Sequence, residues 1–172
     1  TLSNSTIWRE GYWANGKFPD NSKGLSEKAN FLNYGLKAGF TYKISGRHFL
    51  TLNGSYVSRN PEVGSVFISP RVRNTMVTDL DNEKVISGDL NYLIKYPTLK
   101  LRFTGYYTQV NNQTWLRTFW SDEFNNNVNL IMKGLNQNYS GIEFGVEKTF
   151  FTEHVVQAAL GLGQFIYTNR PT

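Results

Sequence analysis

Over Leu32 to Ile44 the sequence LNYGLKAGFTYKI sorts its side chains into two sets that do not mix. Leu32, Tyr34, Leu36, Ala38, Phe40, Tyr42 and Ile44 are apolar, whereas Asn33, Gly35, Lys37, Gly39, Thr41 and Lys43 between them are polar or small. A period of two sustained over that length dictates a strand with one greasy and one wet side. Two architectures use such strands in opposite senses. A soluble barrel turns the greasy side inward around a core or ligand, and a membrane barrel turns it outward to lipid.

The same alternation recurs along the chain. Strands are expected at Thr6 to Trp13, Leu32 to Ile44, His48 to Ser58, Lys84 to Tyr96, Leu99 to Gln109, Asn136 to Phe150 and His154 to Tyr167. Connections alternate between tight and long. Ser45 to Arg47, Pro97-Thr98 and Phe151 to Glu153 are of hairpin size, whereas Ala14 to Phe31, Arg59 to Glu83 and Val110 to Leu135 read as long loops, all at one end of the sheet. Pairing across the tight turns tests the register, because a slip of one residue would set greasy side chains against polar ones. Tyr42 falls opposite Leu50, Phe40 opposite Leu52, Ile94 opposite Leu101, Tyr92 opposite Phe103, Phe144 opposite Leu160 and Ile142 opposite Leu162. The wet side then carries Lys37, Asp89, Asn91, Lys100, Arg102, Glu143 and Glu147.

Length separates the two architectures. The expected strands run mostly about 11 to 15 residues, where a soluble sheet uses about 5 or 6. Thirteen residues at roughly 3.3 Å each and a tilt near 45° rise about 30 Å, enough to cross a bilayer. Tyr34, Tyr56, Tyr107 and Tyr139 toward the long loops, with Tyr42, Tyr96 and Phe150 toward the tight turns, suit two membrane interfaces. The fold class expected is therefore all-β, an antiparallel up-and-down transmembrane β-barrel segment forming a single domain piece over residues 1–172. Seven strands cannot close such a barrel, which needs an even number of at least about eight. A piece of a larger barrel is implied, and Asn169 to Thr172 reads as the start of another outer loop.

Other classes are excluded or weakened. Among 172 residues there is no Cys, so disulfide scaffolds, zinc ribbons and thiol nucleophiles are out. A formal charge of +5 is scattered and forms no basic stripe, so no nucleic-acid partner is expected. His48 and His154 follow tight turns on the greasy parity without a converging Ser and acid, so no enzyme activity, cofactor or resident metal is expected. Asp79, Asp81 and Glu83 lack the Gly and distal Glu of an EF-hand loop and read as a solvated segment. Glu143 and Glu147, four apart on a strand, are separated by roughly 13 Å, too far for a glycosidase pair. The most ligand-like stretch is QTWLRTFWSDEF, where Trp115, Phe119 and Trp120 with Arg117 could stack on a planar or sugar-like ligand, with Arg71 and Arg73 as a weaker anion site on the same outer side.

SYVSRNPE (Ser55 to Glu62), DNEKVISGDLNYLIKYPTLKLRFTGYYTQV (Asp81 to Val110), NQNYSGIEFGVEKTF (Asn136 to Phe150) and GQFIYTNRP (Gly163 to Pro171) resemble later barrel strands of TonB-dependent receptors, in the style of the large receptors of Bacteroidota-type bacteria. In that family a proline and acidic segment leads into a strand of the form "EK..S.DL.Y", which Glu83, Lys84, Ser87, Asp89, Leu90 and Tyr92 match. The resemblance implies a 22-stranded outer-membrane barrel around an N-terminal plug, importing a ligand with energy relayed by TonB, with a surface lipoprotein as a further possible partner. The plug, the TonB-contacting region and the closing strand would lie outside this sequence. Two other readings stay open at this stage: a soluble lipocalin-like ligand-binding barrel, separated by whether detergent is required, and an outer-membrane adhesin or scaffold barrel, separated by the presence of a plug.

Overall fold

The structure, a computed structural model, describes residues 1–151 and 154–170. The turn expected at Phe151 to Glu153 and the last residues of the expected outer loop therefore lie partly outside the described residues. Nine strands are described: β1 (Leu2–Ile7), β2 (Glu10–Gly11), β3 (Gly24–Leu25), β4 (Ala29–Lys43), β5 (His48–Arg59), β6 (Glu83–Tyr96), β7 (Leu99–Ser121), β8 (Asn126–Phe150) and β9 (His154–Tyr167). Among the described residues there is no α-helix, only short 3-10 turns at Pro19–Asn21 and Val63–Ser65. Seven strands form one antiparallel sheet in the order β1-β4-β5-β6-β7-β8-β9, and β2 pairs with β3 apart from it. The sheet is open, with β1 and β9 at its edges.

The register follows the alternation. Tyr42 pairs with Leu50 and Phe40 with Leu52, Ile94 with Leu101 and Tyr92 with Phe103, Phe144 with Leu160 and Ile142 with Leu162. One continuous rung, Phe40–Leu52–Leu90–Gly105–Ile142–Leu162, therefore runs across six strands on one face. That face does not close on itself. Leu36 is 73% exposed, Phe40 64%, Leu160 63% and Ile142 62%, so no other part of this chain covers the greasy stripe. An inward-facing soluble barrel would bury these residues.

The buried apolar cluster lies elsewhere, at the long-loop end. Ile7 and Phe31 from the wet face of β1 and β4 pack with Val66 and Phe67 of the β5–β6 connection, and Ala29, Met76 and Leu80 close around them. Full burial of each such side chain stabilises by about 1.5–3 kcal/mol, enough to fold this connection down onto the sheet. Arg9 fastens it to the β1–β4 connection. Its guanidinium donates to the carbonyls of Ser22 (3.1 Å), Pro70 (3.0 Å) and Arg71 (3.2 Å) and to Asn74 Oδ1. Asn74 in turn donates to the carbonyls of Lys23 and Gly24.

Two expectations are corrected. The first strand occupies Leu2–Ile7, not Thr6 to Trp13, because pairing with Ala29 to Tyr34 fixes it there and Trp8 to Trp13 lead into the outer connection. Val110 to Leu135 is not a long loop: β7 and β8 continue as a paired ribbon to Ser121 and from Asn126. Two irregularities let them continue. Asn112 (φ 59°) sits where the register slips on β7 and Gly134 (φ 69°) where it slips back on β8, and the offsets compensate. Beyond them the ribbon extends on the order of 30 Å.

Candidate functional site

On the wet face the register brings Lys37, Asp89, Asn91, Lys100, Arg102, Glu143 and Glu147 to one side of the sheet. Several are tied across strands. Asn53 Nδ2 donates to Asp89 Oδ1 at 2.9 Å, Asn91 donates to the same oxygen, and Thr104 Oγ1 donates to Asn91 Oδ1 at 2.6 Å. Lys100 Nζ lies 2.6 Å from Glu147 Oε1, and Gln157 Nε2 donates to Glu147 Oε2 at 3.0 Å. Lys37, Arg102 and Glu143 have no side-chain partner among the described residues and add unpaired charge to this face.

Tyr106 lies flat across the same face. It shares a rung with Gly141 and Gly163, and a Cβ at those glycines would stand 2.6 Å and 2.8 Å from its Oη. The absence of side chains on β8 and β9 is what lets the ring lie there.

At the outer end of the wet face is a run of rings. Tyr139 and Phe165 have centroids 4.9 Å apart, Phe165 and Tyr167 5.1 Å, and Tyr167 meets the edge of Trp115 at 6.0 Å. The Arg117 guanidinium lies 4.7 Å from the Trp115 ring centroid. Beneath the run, Gln137 is 1% exposed; its Oε1 accepts from Tyr139 Oη at 2.5 Å, and its Nε2 has no partner among the described residues. Ring faces next to a cation and a buried amide suit a ligand with flat or sugar-like faces and polar edges.

The grouping expected from sequence is partly redrawn. Trp115, Arg117 and Phe119 share one side of the β7–β8 ribbon opposite Met132, Leu130 and Val128. Trp120 is on the other side, opposite Asn127, and its Nε1 donates to Asp122 Oδ1 at 3.0 Å. All four stand on a strand and not on a loop, for the reason given by the two bulges. Arg73 stacks its guanidinium 4.6 Å from the Phe18 centroid, and Arg71 gives its carbonyl to Arg9. Tyr139 is corrected as well: it belongs to the wet face and not to the greasy girdle. The sequence signal for Tyr139, Phe165 and Tyr167 is their parity, which is that of the wet face and not of the greasy one.

The remaining candidates resolve simply. His48 Nδ1 and Tyr92 Oη are 2.7 Å apart and Tyr96 packs edge-on, so this histidine joins the aromatic girdle near the tight turns. Glu83 is buried and paired with Arg59 at 3.0 Å, and it does not gather with Asp79 and Asp81. Among the described residues no three His, Cys, Asp or Glu side chains converge.

Compared with known proteins, the chain matches no protein family and no curated protein. A solved structure described as copper transporter OprC shares its fold, with a TM-score of 0.64 at 13% identity, covering 96% of this chain and 26% of that one. The chain thus spans about a quarter of the length of the transporter it matches, and at this identity the likeness is one of fold.

Proposed function

We propose that this chain is a stretch of the β-barrel of a TonB-dependent receptor in the outer membrane, and that the whole protein takes up a ligand across that membrane without chemistry or a cofactor of its own. The observation that supports this best is the separation of faces: large apolar side chains exposed on one, linked polar and charged side chains on the other, over strands long enough to span. An extended apolar surface of this kind needs a cover, and bilayer lipid is the cover whose thickness fits. The fold shared with a transporter supports the same reading. On this reading the wet face lines the lumen against a plug, TonB acts through a region outside this chain, and a surface lipoprotein is a further partner at the outer end. The ring run beside Arg117 is the proposed ligand contact.

No cysteine within this stretch competes for label, and any elsewhere in the full-length protein is first replaced by serine. Single cysteines replace Leu36 and its neighbour Lys37 in the full-length protein. A water-soluble maleimide labels Lys37→Cys and spares Leu36→Cys, and a lipid-phase reagent does the reverse. The opposite pattern refutes the membrane reading. Failure of the full-length protein to associate with the periplasmic part of TonB refutes the energy-coupled part alone.

A further inference from the structure

The greasy face does not end at its outer tyrosines. Above Tyr34, Tyr56 and Tyr107 the same parity changes chemistry, and Asn30, Lys84, Asn111 and Asn136 replace the leucines and rings. With Asp81 and Asn82 of the crossing segment they line a cavity of about 680 Å³. That is the size of a small-molecule site, and its lining joins these greasy-parity positions and Leu32 to Phe31 and Leu80 of the buried cluster.

Its polar groups are unequally used. Asn30 Oδ1 accepts from Thr6 Oγ1 at 2.8 Å, Asn111 Oδ1 from Gln109 Nε2 at 3.1 Å, and Asn136 Oδ1 from the backbone N–H of Asn112 at 2.9 Å. Three carboxamides therefore have their oxygens engaged, while their NH₂ groups have no partner among the described residues. The backbone N–H fixes this orientation for Asn136, since only an oxygen can accept it. Lys84 Nζ has no partner among the described residues either, and it pairs across the ladder with Asn111. The cavity thus presents three amide donors and an ammonium, with the Asp81 carboxylate as an acceptor on the same wall.

Resting on the membrane reading above, we infer that this cavity binds the phosphorylated sugar headgroup of an outer-leaflet glycolipid. The phosphate oxygens accept from Lys84 and the amide NH₂ groups, and a sugar hydroxyl donates to Asp81. Charge-assisted bonds to a phosphate are the strong ones, and they are stronger at the edge of a bilayer than in open water. The acyl chains then lie along Leu32, Leu36 and the rings below.

The test uses the full-length protein in phosphatidylcholine nanodiscs containing either a phosphorylated disaccharide lipid or its dephosphorylated form, with bound lipid counted by native mass spectrometry. Retention of the phosphorylated lipid is expected to exceed that of the other at least tenfold. Lys84→Gln and Asn136→Asp should each abolish the preference; the second keeps the acceptor that holds Asn112 and replaces the amide donor by an anionic oxygen that repels phosphate. Lys84→Gln breaks no hydrogen bond, so it remains informative if the bulge is sensitive. Equal retention of the two lipids, or full retention by both variants, overturns the inference. Soluble sugar phosphate binding as tightly as the lipid overturns the headgroup assignment in favour of a free ligand. Lipid-phase labelling at Leu36→Cys is read in parallel: its loss condemns the membrane reading, whereas its persistence without lipid preference condemns only this site.

Discussion

Leu52 and Leu32 offer a test in which area and depth make opposite forecasts. Both are on the greasy face, and they are nearly equally exposed, at 55% and 58%. If the cost of placing Arg there depended on accessible area alone, the two substitutions would be equal. Depth separates them. Leu52 pairs with Phe40, and Phe40 is eight residues along β4 from Leu32, or roughly 26 Å of strand. At a tilt near 45° that is about 19 Å along the membrane normal, beyond the half-height of an apolar band about 25 Å tall. Leu52→Arg is therefore expected to cost about 2–4 kcal/mol in a bilayer and Leu32→Arg about 0–1. The deeper substitution shifts the folding equilibrium roughly 30-fold to 1,000-fold. Thr51→Arg, one residue away on the wet face, loses its 3.0 Å bond with Thr41 Oγ1 and costs about 0.5–1.5 kcal/mol. The assay is equilibrium urea titration of the full-length protein folding into lipid vesicles, read by protease protection. Equal costs at Leu52 and Leu32, or the largest cost at Thr51, would refute the outward-facing assignment.

Gly141→Ala should cost about 1–3 kcal/mol in the same titration, since its Cβ would stand 2.6 Å from the Leu162 carbonyl oxygen as well as from Tyr106, and Tyr106→Phe should not rescue it. Gly163→Ala meets chiefly the Tyr106 hydroxyl, so its smaller cost should disappear in the Tyr106→Phe background. Arg9→Met leaves the Ser22, Pro70 and Arg71 carbonyls without their donor, and charged bonds of that kind contribute about 1.5–3 kcal/mol each. Limited proteolysis between Asn60 and Asn82 should then run at least tenfold faster while the barrel's strand signal in circular dichroism stays unchanged. Lys100→Ala should shift the urea midpoint by less than the equivalent of about 1 kcal/mol, because the Lys100–Glu147 pair is partly exposed.

Where lipid or its equivalent dictates one face, the chain announced its structure. The strands from Leu32 to Tyr96 were legible to within a few residues, and the pairing across Ser45 to Arg47 and Pro97-Thr98 followed from parity alone. Legibility failed beyond the bulges. Trp115 and Phe119 on one side of the ribbon and Leu116 and Trp120 on the other give both faces a mixed character, so no period of two survives. On the proposed membrane reading, a ribbon that extends beyond the bilayer has no apolar solvent to sort its sides. The ring run was hidden for a related reason: Trp115 on β7 and Tyr167 on β9 are 52 positions apart, and only β8 lying between their strands brings them together. Even there Tyr139, by occupying the wet parity, left a trace that alternation could have exposed.

The Arg9 clasp has a consequence for how this surface can change over generations. Three of its four acceptors are main-chain carbonyls, which every amino acid supplies. Residues at positions 70 and 71 can therefore vary without loosening the connections, provided that Arg9 and Asn74 are retained, whereas Ser22 is also held by its buried hydroxyl, which accepts from the Asn15 backbone N–H at 2.7 Å. Connections fastened in this way can alter their exposed side chains while keeping their shape.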